Sequence, residues 1–361
     1  MTIKRFFATA DNTITNAFDE TLVTRGTGSN MGAADTLEVF SIYAQASTTS
    51  AEASRILIQF DTADILAKRN AGSIPSAGGV NFYLKLCNAE HTKTLPRDFS
   101  LLVSAVSQSW QEGTGLDMEN YTDLTKTNIG SNWINASNNF VSASATLTAL
   151  SKTAGQANTR ILTIADSDGN SVNFQIDNST STSTATKIAF ANANSNANQF
   201  ATNIATAVNA ANTAETLNVV ASADSATVTL TQTALGAAGN SAANITNTAV
   251  DDSVITVVSH FGGGSGKWVT QGVDYHASPT FTANFPEGYE NLSINVTTVV
   301  EEWLSGTKQN YGFGIKLSGS YETGDKSYYT KKFFARGSEF FFKRPVLEAR
   351  WNEALKDDRG Y

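Results

Sequence analysis

The chain has 361 residues, a formal net charge of −8 and a sequence pI of about 5.0. That balance argues against a nucleic-acid partner, because no surplus of Lys and Arg is present to neutralise a phosphate backbone. Charged residues make up only 16%, against roughly 25% in ordinary soluble domains; Asn, Ser, Thr, Ala and Gly take their place, as expected of extracellular β-proteins and of subunits that bury much of their surface in an assembly.

The opening Met1-Thr2-Ile3-Lys4-Arg5-Phe6-Phe7 carries a basic pair and two aromatics, with no apolar run and no small-residue cleavage site. It does not read as a secretory signal, and no stretch approaches the roughly 18 apolar residues that a membrane span requires. The expectation is a chain made in a cytoplasm, without membrane partners. The single cysteine, Cys87, follows the apolar run Phe82-Tyr83-Leu84-Lys85-Leu86. One cysteine makes no intrachain disulfide, and a buried small hydrophobe is the expected role.

Residues 1 to 141 read as strands. Thr36–Tyr43 is rich in β-branched and aromatic residues, Arg55–Asp61 alternates with Ile56, Ile58 and Phe60 on one face, and Val80–Leu86 and Ser100–Val106 follow. Turn clusters such as Gly72–Gly79 separate them. Short strands at this spacing predict a sandwich or barrel. Asp61 to Lys68 reads as one helical turn.

Residues 142 to 256 differ in texture: Ala, Ser, Thr and Asn dominate, and Trp, Tyr and Pro are absent. Arg160–Ile164 and Ser171–Ile176 alternate around Ala165-Asp166-Ser167-Asp168-Gly169-Asn170, the signature of a β-hairpin. Phe200, Ile204, Val208 and Ala211 form one apolar helical face with Asn198 as the predicted N-cap. Leu217–Ala221 and Ala226–Thr231 read as two more strands, giving a small α+β unit of ββαββ order.

Residues 257 to 361 return to the aromatic-rich texture of the first zone. Asn291–Val296 alternates. Thr297–Leu304 carries Val299, Val300, Trp303 and Leu304 at helical spacing, with Thr297 or Thr298 as N-cap and Gly306 closing it. Tyr311–Leu317, Ser327–Phe334 and Phe340–Trp351 read as the remaining strands. Similar outer zones around a distinct middle predict one domain, 1–141 with 257–361, interrupted by another, 142–256.

The outer zones resemble the DNRLRE-type domain, a jelly-roll β-sandwich similar to carbohydrate-binding modules. Ala8–Ile14 resembles its first strand and Arg55–Asp61 its arginine strand. Val80–Leu86 resembles its next apolar strand and Ser109-Trp110-Gln111-Glu112-Gly113-Thr114 its Trp-Glu-Gly loop. Ile294–Thr297, Trp303–Gly306 and Asn310–Phe313 resemble a later run, and Arg344-Pro345-Val346-Leu347-Glu348 the closing strand. The middle zone is similar to ββαββ modules of phage tail and head proteins. Phe342–Glu353 with Lys356–Arg359 resembles a segment of virion proteins of tailed phages from marine and cyanobacterial hosts.

Chemistry-bearing motifs are sparse. His91, His260 and His276 fall in no metal-ligand spacing, and there is no nucleophile elbow or phosphate loop. The Asp166–Asn170 acidic run lacks the further ligands of a calcium loop and reads as a turn. Phe261–Lys267 has the wrong spacing for a phosphate loop and reads as a flexible linker back to the sandwich. Trp110, Trp133, Trp268, Trp303 and Trp351 are expected in the core, with a sugar-stacking platform as the alternative. Lys331-Lys332 with Lys343-Arg344 forms a basic cluster in an acidic chain, a solvated face or a contact for an acidic neighbouring subunit.

The expectation is therefore a mainly β chain, a jelly-roll sandwich with an inserted ββαββ domain, with no catalytic, cofactor or metal residues. The resemblance implies a non-enzymatic structural protein of a phage virion, in the capsid decoration, neck or tail. Its partners would be other virion proteins and copies of itself. The alternative is an adhesin or fibre module recognising host-surface glycan. A third class, a polysaccharide-degrading enzyme, needs paired carboxylates, for which Asp117 and Glu119 are the candidates.

Overall fold

The structure, a computed structural model, describes residues 1–90, 96–116, 130–241 and 244–352. His91, Asp117, Glu119 and the segment from Glu353 through Arg359 lie outside them. The strands before the insert are β1 (Thr2–Thr15), β2 (Thr36–Tyr43), β3 (Ala51–Phe60), β4 (Asn81–Leu86) and β5 (Phe99–Val106), with helix α1 (Thr62–Asn70) after β3. Next come β6 (Ser142–Ala149), α2 (Ala154–Ala157), β7 (Ile161–Ala165), β8 (Ser171–Asp177), β9 (Lys187–Ala189), α3 (Ala197–Thr213), β10 (Val219–Asp224), β11 (Thr227–Leu235), β12 (Ile245–Thr246), α4 (Thr248–Asp251) and β13 (Ile255–Gly262). The chain closes with β14 (Tyr275–Phe285), β15 (Leu292–Asn295), α5 (Thr297–Leu304), β16 (Phe313–Leu317), α6 (Ser320–Thr323), β17 (Tyr328–Phe334) and β18 (Val346–Trp351).

Two compact units result: Met1–Asn138 with Thr270–Tyr361, and Asn139–Val269. The first is a β-sandwich. Its strands run β14-β5-β16-β3-β1-β18-β4-β15, with β2 joining β3 to β17. Strand β1 serves two partners. Residues 2 to 7 pair with β18 and residues 8 to 15 with β3, after a register shift between Ala8 and Ala10. A bulge bends a strand and increases its local twist, so one continuous strand passes from one set of partners to the next. Ile56, Leu57 and Ile58 of β3 are all fully buried, as a strand between paired neighbours and covered on both faces requires. One core joins residues from both chain segments: Phe60, Phe82 and Phe99 with Phe285, Phe313 and Phe333. Phe99 stacks on Phe285 with ring centroids 5.1 Å apart.

Strand β14 has no counterpart in the sequence reading. It contains Pro279 and lies at one end of the strand path, pairing only with β5, with a register shift between Tyr275 and Thr280. Proline is tolerated at edges and bulges because no ladder hydrogen bond is needed there. The expected helical turn at Asp61 to Lys68 extends to the nine residues of α1. Asp61 caps it through Oδ1, which accepts from the backbone N–H of Ala63 and Asp64. Helix α5 forms where expected, yet neither threonine caps it: Asn295 Oδ1 accepts from the Thr297 N–H at 3.0 Å.

The second unit is larger than the expected ββαββ order. It holds two four-stranded sheets, β10-β11-β6-β13 and β12-β7-β8-β9, with one parallel pair, β8–β9. Residues 257 to 269, assigned above to the sandwich, belong here, because β13 pairs antiparallel with β6. Strand β6 buries Ala143, Ala145, Leu147 and Ala149 on alternate positions, a period-two pattern carried mostly by alanine, which is too small to signal a core in the sequence. The hairpin at 160–176 forms as β7–β8. The N-cap of α3 is Asn196, not Asn198: its side chain accepts from the Gln199 N–H at 3.1 Å. Phe200 of α3 is fully buried and meets Phe190 edge to face at 5.0 Å. Phe200→Ala is expected to lower this unit's unfolding free energy by about 3–5 kcal/mol, mostly through the cavity left behind. Urea titration followed by circular dichroism measures it, and a loss under about 1 kcal/mol contradicts a core role for the ring.

Candidate interaction surface

Beyond β17 the sequence pattern predicts a strand from Phe340 onward. Phe341–Lys343 instead forms a single 3-10 turn. Pro345 has no N–H, and a residue before proline is held extended; Arg344 sits at φ −60 and ψ 156, and the ladder of β18 begins only at Val346. The turn is fastened by Ser338, whose Oγ accepts from the Phe340 N–H at 3.2 Å and whose carbonyl accepts from Arg344 Nε at 2.8 Å. Three consecutive phenylalanines are left outside: Phe340 is 51% exposed, Phe341 48% and Phe342 83%. Phe341 rests on Phe7 at 4.5 Å and Phe340 on Phe334 at 5.5 Å. Lys343 lies over Phe334 and Phe340, and Arg344 over Phe341 at 5.3 Å. Large exposed aromatics with cations on their faces are what protein interfaces enrich.

Beside this ridge the outward faces of β1, β18 and β4 form a recess of about 60 Å³, bordered by Phe7 and Val346. The ladder sets Arg5 opposite Glu348 and Lys85 opposite Val346, so alternation brings Arg5, Lys85 and Glu348 to one face. The Glu348 side chain is 1% exposed. Its Oε1 accepts from Arg5 Nε at 2.9 Å and Lys85 Nζ at 3.3 Å, and its Oε2 from Arg350 Nε and Nη2 at 3.0 and 2.7 Å. Burial disfavours its charge, but the Arg350 and Arg5 hydrogen bonds and the Lys85 ammonium outweigh it and hold the carboxyl below its ordinary value. Arg344 also borders the recess, so three cations face one carboxylate.

The expected basic cluster is divided by the fold. Lys343 and Arg344 sit in the ridge, but Lys331 is only 1% exposed and Lys332 pairs with Glu38 at 2.5 Å. Lys331 Nζ donates to Asn88 Oδ1 at 2.6 Å and to the Gly288 and Glu290 carbonyls at 2.9 and 2.8 Å. It also lies within about 5 Å of the Phe285 and Phe333 rings. All three ammonium protons find acceptors, yet burial lowers its pKa to about 8. The sequence held one signal: Lys331 shares its strand face with Phe333.

The motifs behind the family resemblance act as internal ties. Arg55 makes a two-point pair with Glu322 at 2.8 and 3.1 Å, donates to the Gly272 carbonyl and lies over Trp133 at 4.9 Å. Glu112 pairs with Arg336 at 3.0 and 2.6 Å and accepts from the Asp11 N–H at 2.8 Å. Asp11 Oδ2 accepts from the Arg336 N–H. Burial, reinforced by the Glu112 charge, pushes the Asp11 carboxyl up to about 7, although hydrogen bonding to Arg336 opposes it.

Trp133, Trp268, Trp303 and Trp351 are buried, and Trp110 is half-buried with its indole N–H on the Tyr311 carbonyl at 2.7 Å, so no exposed tryptophan platform forms. Asp166 accepts from the N–H groups of Asp168 and Asn170 at 2.9 Å, as a turn does. Phe261–Lys267 is not a free linker. Val141 and Ser265 exchange both backbone hydrogen bonds at 3.0 and 2.9 Å, and the Asn240 amide bonds both backbone groups of Gly264. A Cβ at Gly264 would stand 2.3 Å from the Gly236 carbonyl oxygen, so only glycine permits this approach. Among the described residues no cluster of three His, Cys, Asp or Glu is placed to hold a metal, and no helix is long and apolar enough to cross a membrane. No family model, curated protein or solved structure matches the chain.

Two pH responses follow from these buried groups. For Lys331 the folded pKa lies below the ordinary lysine value of 10.5, so the unfolded chain binds more protons between about pH 8 and 10 and stability rises with pH there. Wild type is expected to gain stability relative to Lys331→Met over that range in denaturant titrations; an unchanged difference contradicts the lowered value. For Asp11 the folded pKa lies above the ordinary aspartate value of 3.8. Its contribution is full below about pH 4 and declines as pH rises through 7. Asp11→Asn keeps the acceptor for Arg336 but does not titrate. Wild type is expected to lose stability relative to this variant between about pH 4 and 8, read by melting temperature in matched buffers.

Proposed function

We propose that the protein is a structural component of a phage particle that acts through its contacts with other subunits and not through catalysis. The observation that carries this reading is the ridge Phe340-Phe341-Phe342, exposed beside Lys343 and Arg344. Water contact at three adjacent aromatic rings is unfavourable by roughly 25 cal/mol per Å² of apolar surface, and monomers rarely keep such clusters unless a partner covers them. The turn holding the rings is pinned at both ends, so little conformational entropy is lost on docking. The low charge content and the resemblance of the closing segment to virion proteins support placing the partner within a particle. Capsid decoration, neck and tail are the candidate positions, with copies of the chain and other virion proteins as the neighbours.

The test is incorporation. The Phe340→Ser, Phe341→Ser, Phe342→Ser triple variant is expected to fold, because none of the three rings belongs to the buried core. Its abundance in purified particles, measured by quantitative mass spectrometry, is expected to drop at least about tenfold, the effect of losing an aromatic hot spot. Normal incorporation of the triple variant, or absence of the wild-type protein from particles, overturns the reading.

A further inference from the structure

We infer that the recess beside the ridge receives an acidic side chain of a neighbouring protein subunit, an Asp or Glu flanked by an apolar residue. This rests on the interface reading above and names what the interface takes. The charge at the recess is unbalanced. Among the described residues that border it, Arg5, Lys85 and Arg344 are opposed by Glu348 alone, in a chain whose net charge is −8. Glu348 is already saturated by Arg5, Lys85 and Arg350, so it adds little acceptor capacity for the remaining donors. Arg5 uses Nε for Glu348 and Arg344 uses Nε for the Ser338 carbonyl, which leaves the terminal nitrogens of both guanidinium groups for an incoming anion. A guanidinium presents paired N–H groups in the geometry that a carboxylate accepts.

Size selects the occupant. At about 60 Å³ the recess has room for a carboxylate head group and is smaller than the roughly 300 Å³ of a pocket that encloses a small molecule. The polar head of one side chain fits. Phe342, 83% exposed, borders the same recess and supplies the apolar contact for the residue next to the acid. Desolvation by that ring strengthens the ion pair formed beside it.

Cys87 supplies the readout. It is the only cysteine in the chain, borders the recess and is partly exposed. The full-length protein is reacted with a neutral maleimide in the presence of a capped peptide containing Phe-Asp-Glu-Phe. With peptide at about four times its Kd, labelling is expected to slow about fivefold, as site occupancy dictates. The matching Phe-Asn-Gln-Phe peptide is expected to leave the rate unchanged. Arg5→Gln and Arg344→Gln are each expected to abolish the protection, each read against that variant's own peptide-free labelling rate and with circular dichroism confirming that it remains folded. The proposal is overturned if the acidic peptide gives no protection at millimolar concentration. It is equally overturned if the amide peptide protects as well, or if inorganic phosphate alone protects to the same degree. Loss of protection together with exclusion of the serine triple variant from particles removes the carboxylate occupant and leaves the interface standing. Normal incorporation of that variant removes the interface itself.

Discussion

The sandwich depends on one contact set, the shared interior of strands from the two ends of the chain. Phe60, Phe82 and Phe99 precede the insert and Phe285, Phe313 and Phe333 follow it, and they pack into a single core. Bringing distant segments together costs loop-closure entropy, but that cost grows only slowly with length. The inserted unit reduces it further. Val141 and Ser265 are hydrogen-bonded partners near its two ends, so the intervening residues are closed off by their own pairing, and the outer domain spans a short gap and not a long free loop. The Gly264 approach to the Gly236 carbonyl is part of that closure.

Polar groups then set which arrangement of the sandwich is allowed. A buried charge is tolerated only where hydrogen bonds and counter-charges compensate for lost hydration. Arg55 with Glu322 and Lys331 with three oxygen acceptors each meet that condition, and the half-buried pair of Glu112 with Arg336 adds a further tie. Each joins segments far apart in sequence, so a mispaired strand would leave a charge stranded. Asp11 is the exception: burial and a neighbouring carboxylate push it towards its neutral form.

The surface shows the complementary pattern. Many aromatic residues fill the interior, whereas Phe340, Phe341 and Phe342 are held outside by a proline-terminated turn that Ser338 pins. The adjacent recess concentrates positive charge on an acidic chain. Apolar rings and cations in one place have the composition that protein interfaces enrich.

Local patterns were legible in the sequence because their causes are local. Alternation specified β3, β4, β5 and the β7–β8 hairpin, and helical spacing specified α3 and α5, since side-chain period and turn chemistry act within a few residues. The break in composition marked the insert. Partner choice was not legible. Whether Lys331 points into the core or towards water depends on Asn88, Gly288 and Glu290, and whether 257–262 joins the sandwich or the insert depends on pairing with β6. The phenylalanines at 340–342 have the composition of a strand, and only the absence of a ladder partner ahead of Pro345 places them on the surface. Burial is decided by residues distant in sequence, and that information exists only once the chain has folded.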